Sequence, residues 1–220
     1  MIFNLVKKDM LIVRKFVIIM FFVAFFAPSL LLQNMDVENS MNNTYGVLVF
    51  FMVLFVIILL LSSSVSLIDE TYKKGCAYLC TTPYTRNQIV LSKYIFSYII
   101  FIAYCLIYII ENMVYPQYTI KLNFEIIIIS LLAISIFRGV LIPLEYKFGY
   151  EKAKYIIILL PILLPYVLSI VFDKVDISRL DITQIYDMNI GLKMIFVFSV
   201  FLINAVSMIV SCYIFKNKEL

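Results

Sequence analysis

Apolar runs separated by short polar stretches recur six times along the chain, at residues 16–32, 45–68, 94–110, 124–144, 155–172 and 194–215. Each is long enough, as a helix, to cross a bilayer with little tilt. The pattern predicts an all-α polytopic membrane protein with six transmembrane helices. Residues 1–15 read differently. Drawn as a helix, Asn4, Lys7, Lys8, Arg14 and Lys15 share one stripe, and Ile2, Phe3, Leu5, Val6, Met10, Ile12 and Val13 cover the rest. That is an amphipathic helix lying in the interface. Asp9 falls on its apolar face and suits either a buried partner or a carboxylate near the water line. The chain therefore divides into an interfacial helix, 1–15, and a six-helix transmembrane domain, 16–220, whose connections at 69–93, 145–154 and 173–193 are the substantial ones.

Charge gives the six runs an orientation. With the N-terminus inside, the inner segments hold fourteen lysines and arginines and the outer ones only Lys121, Lys174, Arg179 and Lys193. Six carboxylates inside and eight outside leave net charges of +8 and −4. Short connections rich in lysine and arginine stay in the cytoplasm, so both termini are expected there. At 64% hydrophobic residues the 220-residue chain is too apolar for a soluble domain. The basic residues sit at span ends without any groove-reading motif, so nucleic acid is not an expected partner, whereas the anionic inner leaflet is. No small-residue cleavage site follows the first run, which is expected to stay in place. Cys76, Cys80, Cys105 and Cys212 all fall away from the oxidising side, and with no histidine in the chain the C-x3-C pair is not a convincing metal site.

Candidate chemistry is sparse. There is no histidine, no paired carboxylate within a run, no H-E-x-x-H and no G-x-S-x-G. Ser62, Ser63 and Ser64 lack a base and are expected to bond to the preceding helical turn. No P-loop is present, so the chain is not expected to be an enzyme, and a driven transport step would need its motor on another polypeptide. Arg138 lies within the fourth run. It suits either a polar setting beside a carboxylate such as Glu145, or a run that ends early with the guanidinium reaching inward, and the second is preferred. Pro161 and Pro165 fall one turn apart in the fifth run and predict a kink, either a hinge beside a pathway or a static bend. Tyr94, Tyr98, Tyr104 and Tyr108 place phenols along the third run. Thr82 or Thr85 is positioned to cap a short helix entering that run, and Gly149 predicts a sharp turn after the fourth.

The two inner loops carry a resemblance. Glu70, Gly75 and the stretch Pro83-Tyr84-Thr85-Arg86-Asn87-Gln88-Ile89-Val90-Leu91-Ser92-Lys93 resemble the first cytosolic loop of ABC-2-type transporter permeases, with its P-x-[ST]-R-x-x-I-V-x-x-K pattern. Pro143-Leu144-Glu145-Tyr146-Lys147-Phe148-Gly149-Tyr150-Glu151-Lys152-Ala153-Lys154 resembles the second loop of the same family, and Lys8-Asp9 its N-terminal helix. The likeness extends over the chain and is nearest to short permeases of Gram-positive bacteria, which include exporters of phenol-soluble modulins and bacteriocin-like peptides. It implies a bacterial cytoplasmic membrane, a second permease subunit (identical or not), and two separate ABC ATPase subunits that hold the ATP and magnesium, with no cofactor on this chain. It implies that residues from Ala77 through Pro83 to Arg86 form the coupling helix, with Glu70 and Gly75 near the ATPase, and that Lys147, Gly149 and Lys152 belong to the second cytosolic loop. It further implies a path at the dimer interface beside the second and fifth spans, for an amphipathic or apolar substrate such as a toxin or bacteriocin peptide. Cys80-Thr81-Thr82 departs from the usual small-leucine start of the loop motif. Two other readings remain open: a stand-alone membrane immunity protein, and the substrate-binding subunit of a vitamin uptake transporter.

Overall fold

A computed structural model describes residues 2–33, 39–71, 84–116, 119, 121–149, 152–153, 155, 159 and 190–217. Six helices account for nearly all of them: α1 (Ile2–Ile12), α2 (Arg14–Gln33), α3 (Asn39–Thr71), α4 (Arg86–Val114), α5 (Phe124–Phe148) and α6 (Ile190–Lys216). The fold is all-α, and five of these helices are long and apolar enough to cross a membrane. They coincide with five of the six apolar runs. The remaining run, 155–172, lies outside the described residues apart from positions 155 and 159.

Contacts between helix ends fix their directions. Glu125 and Lys193, near the starts of α5 and α6, form an ion pair at 2.6 Å. Ser207 of α6 meets Gly139 of α5 at the same offset of 68 residues, and Tyr146 stacks on Phe215 near the two C-termini, with ring centroids 4.9 Å apart. α5 and α6 are therefore parallel and in constant register over their length. Arg86 at the start of α4 reaches the end of α6, so α4 is antiparallel to both. The Ser29 N–H, beside Pro28 near the end of α2, donates to the buried Glu111 carboxylate near the end of α4 at 3.0 Å. α2 and α4 thus run together. These pairings reproduce the alternation that six crossings require. One end of the bundle gathers Lys7, Lys8, Arg14, Lys15, Arg86, Lys93, Lys147 and Lys216, and is called the basic end below.

The main core lies between α2, α3 and α4. Phe50, Leu54, Ile57 and Ile58 of α3 pack on Phe101, Tyr104 and Tyr108 of α4, with Ala24 of α2 closing the side. Phe50 and Tyr108 meet edge to face, ring centroids 4.8 Å apart, and the Tyr104 hydroxyl donates to the Phe50 carbonyl at 3.3 Å. The tyrosines of the third run thus point into the bundle, and the hydroxyls of Tyr94, Tyr98 and Tyr104 each meet a polar partner on a neighbouring helix.

α1 is joined to α2 through a single non-helical residue, Val13. Leu5, Val6, Asp9 and Val13 are buried, while Phe3, Lys7 and Leu11 face outward. The helix thus docks one stripe on the bundle and offers a mixed apolar and basic stripe to its surroundings. Of the two settings open to Asp9, the buried one is found: it is 1% exposed and Lys8 approaches it to 3.0 Å.

α4 begins earlier than the apolar run. Its 29 residues make it about 43 Å long at 1.5 Å per residue, more than the ~30 Å of a hydrocarbon core. Residues 86–93, read from hydropathy as loop, are its first two turns.

Candidate functional site

Helix α4 starts where it does because of a capping box. The Thr85 hydroxyl accepts the Gln88 N–H at 3.3 Å, and the Gln88 side chain accepts the Thr85 N–H at 3.1 Å. Two of the donors orphaned by a helix start are thereby satisfied. Replacing Thr85 by alanine is expected to cost about 1 kcal/mol. Faster amide exchange confined to residues 86–89 would report that loss, and protection there equal to wild type would contradict it.

The cap places Arg86 in the first turn. Its Nη1 donates to the Phe215 carbonyl at 3.0 Å and to the Lys216 carbonyl at 2.7 Å. The guanidinium carbon lies 5.6 Å from the centroid of the Phe215 ring. Those carbonyls end α6, have no helical N–H to accept, and carry the negative end of the helix dipole, so a cation is favoured there. Around this contact Leu5 of α1, Ile89, Val90 and Tyr94 of α4, Ile142 of α5 and Phe215 of α6 form one buried cluster, with Tyr84 and Tyr146 packed against it.

A second set of contacts lies one to two turns further into the bundle. Pro143 has no N–H, so the Gly139 carbonyl four residues back loses its helical donor. The Ser207 hydroxyl donates to that carbonyl at 2.6 Å. Each hydroxyl has one proton. Having given its own to Gly139, Ser207 accepts from Tyr94 at 2.5 Å, and Tyr94 accepts from Ser211 at 3.1 Å. A directed chain of hydroxyls thus joins α4 to α6 and ends on α5. A Cβ at position 139 would lie 3.4 Å from Ile203 Cγ2 and 3.6 Å from Ser207 Cβ, ordinary van der Waals contact that leaves room for a methyl group but not for a larger side chain. Close by, Tyr98 donates to Ser135 at 2.9 Å, whose own proton goes to the Leu131 carbonyl.

Arg138 is buried here, 3% exposed. Its Nη1 is 3.9 Å from Glu145 Oε1, and Glu145 Oε2 accepts the Ser66 hydroxyl of α3 at 2.8 Å. The expectation of an inward-reaching, solvated guanidinium is thereby corrected. Helix α5 continues to Phe148, which leaves Arg138 inside the bundle, and the carboxylate seven residues on supplies the counter-charge across the Pro143 break. Two of the three adjacent serines of α3 behave as expected, Ser63 and Ser64 both donating to the Leu60 carbonyl.

Of the residues singled out from sequence, the structure brings Arg86 into the basic-end cluster. Lys147 is exposed, its ammonium 5.2 Å from the centroid of the Phe148 ring. Gly149 ends α5 at a φ of 80°, a conformation that favours glycine, and its N–H donates to the Glu145 carbonyl. Lys152 is exposed, while its neighbour Ala153 is buried with Leu59 and Leu141. Glu70 lies in the last turn of α3, its side chain outside the described residues, as are Gly75, Ala77, Pro83, Pro161 and Pro165. Sequence reasoning missed Gly139, Ser207 and the acceptors of Arg86. For Gly139 the signal was present in its four-residue spacing to Pro143, which marks a carbonyl without a helical donor but does not point to Ser207. For Arg86 there was none, because backbone carbonyls carry no sequence signature.

Among the described residues no group of histidine, cysteine, aspartate or glutamate side chains is arranged to hold a metal ion. What the helices and their polar contacts define is a multi-pass membrane protein whose inward-facing polar groups tie helices to one another. The family model described as ABC-2 family transporter protein matches residues 4–216, nearly the whole chain, and the chain belongs to that family. It is accordingly a permease subunit of an ABC transporter, a class that works in the membrane with ATPase subunits. No curated protein and no solved structure matches it.

Proposed function

We propose that the chain is the permease half of a bacterial ABC exporter, with the basic end and both termini in the cytoplasm and ATP hydrolysed entirely on partner subunits. The observation that carries this reading is the basic-end cluster. The first loop leaves α3 at Thr71 and re-enters at the Thr85 cap, and the residues around that re-entry are packed against α1, α5 and α6. A push on the loop from below would therefore reach most of the bundle, as a coupling element requires. Fourteen cations on the inner segments support the orientation. A homo- or heterodimer of such chains would form the path, and the aliphatic and aromatic helix surfaces suit an amphipathic or apolar substrate, a peptide of the toxin or bacteriocin kind. This resembles the short Gram-positive permeases.

The test is co-expression with the neighbouring ATPase gene product, purification in nanodiscs, and assay of vanadate-sensitive ATP hydrolysis and peptide export. A stable complex is expected, and deletion of residues 77–82 should leave assembly intact while transport per ATP falls at least about tenfold. Failure of any ATPase to co-purify under gentle conditions would overturn the permease reading in favour of a stand-alone immunity protein. Unchanged export by the deletion variant would remove the loop from the mechanism.

A further inference from the structure

The arginine of the first-loop motif sits where a docking residue for a partner would be expected, yet one nitrogen of its half-buried side chain is engaged within the protein. Arg86 Nη1 serves two carbonyls of α6 at 3.0 and 2.7 Å, and the guanidinium lies over the Phe215 ring. The same ring packs on Tyr146 of α5. One side chain thereby joins the point where the loop re-enters the bundle to the end of the last helix, and through Phe215 to the start of the second loop. Two turns deeper Tyr94 makes a second α4–α6 attachment through Ser207 and Ser211. Two attachments about 12 Å apart along a helix axis, at 1.5 Å per residue from 86 to 94, stop α4 and α6 from pivoting about a single point.

We infer that Arg86 is a positioning residue that locks α4 to α6 at the basic end, so that displacement of the first loop moves the two antiparallel helices as one body. The inference rests on the permease reading for what displaces the loop, though the lock itself does not. Its chemistry follows from the acceptors. A cation at a helix C-terminus satisfies carbonyls that lack donors and opposes the negative end of the dipole. A lysine can do both but cannot lie flat on the phenylalanine ring, whereas methionine keeps the apolar stem and does neither.

The experiment places spin labels at Asn87→Cys and Asn217→Cys, both exposed, with Cys76, Cys80, Cys105 and Cys212 replaced by serine or alanine and labelling checked on each single variant. The distance distribution is then measured in nanodiscs with and without the ATPase. Arg86 in its native form should give one narrow population. Arg86→Met should broaden it and Arg86→Lys should largely restore it. In the assembled transporter Arg86→Met should lower substrate turnover on the order of tenfold with KM and the affinity for the ATPase unchanged. An unchanged distance distribution in Arg86→Met without ATPase would overturn the lock. A tenfold loss of ATPase affinity with the distance preserved would make Arg86 a docking residue and also overturn the proposal. If the unaltered chain binds no ATPase, the permease reading fails on that arm, and the lock is still decided by the label distances.

Discussion

Replacing Arg138 by methionine while Glu145 remains is expected to destabilise the bundle by about 3 kcal/mol. Removal of one partner from a buried ion pair leaves the other charge without compensation, typically at about 3–5 kcal/mol. The low end applies because the pair is loose. The closest approach is 3.9 Å, beyond hydrogen-bonding distance, and Arg138 Nε and Glu145 Oε1 have no hydrogen-bond partner. Glu145→Gln should cost as much, since it strands a guanidinium that is 3% exposed, even though the amide can still accept from Ser66. The double variant Arg138→Met, Glu145→Gln should recover most of the loss, because the desolvation penalty of both charges disappears with the charges. Unfolding in a denaturing detergent, followed by helical circular dichroism for the four proteins of the cycle, measures the coupling. If the two single variants add without interaction, the ion pair does not hold these helices together.

That pair also shows where sequence and structure part company. The apolar runs announce the spans, because a helix in lipid has no other way to satisfy its backbone, and α2, α3, α5 and α6 each contain their predicted run and exceed it by a few residues. The limits of hydropathy appear where a helix leaves the hydrocarbon. Residues 86–93 look like a loop by composition, yet Thr85 and Gln88 close a capping box, and the helix runs on. The resemblance marked Arg86, but the carbonyls that receive it stand 129 and 130 residues away, and no local pattern connects the two. Arg138 was misread for a related reason. A lone cation in an apolar run suggests a span boundary until the carboxylate two turns later is seen on the same side of the helix. Residues i and i+7 lie on one face, so the pairing was legible, and what was not legible was that α5 would continue past residue 144 to Phe148 and hold Glu145 on the same helix.

Gly139→Leu is expected to disrupt the parallel pair of α5 and α6, at a cost of about 1–3 kcal/mol for the overpacking alone. A bare Cβ would already come within 3.4 Å of Ile203, so alanine should be borne with a small loss, but the branched end of leucine has no room unless the helices separate. Separation would also break the Ser207–Gly139 contact, and that part can be isolated. Ser207→Ala leaves a buried carbonyl without a donor and the Tyr94 hydroxyl without its acceptor, for about 1–3 kcal/mol. The carbonyl is orphaned only because Pro143 lacks an N–H. In a Pro143→Ala background the helix can supply that donor itself, so Ser207→Ala should cost less there, by about 1 kcal/mol. The same detergent unfolding assay reads all four corners of this cycle. An equal cost for Ser207→Ala in both backgrounds would mean that Ser207 serves α4 through Tyr94 and does nothing for the proline break. A reduced cost would establish that α6 completes the broken hydrogen-bond ladder of α5, and that the glycine, the proline and the serine act as one joint.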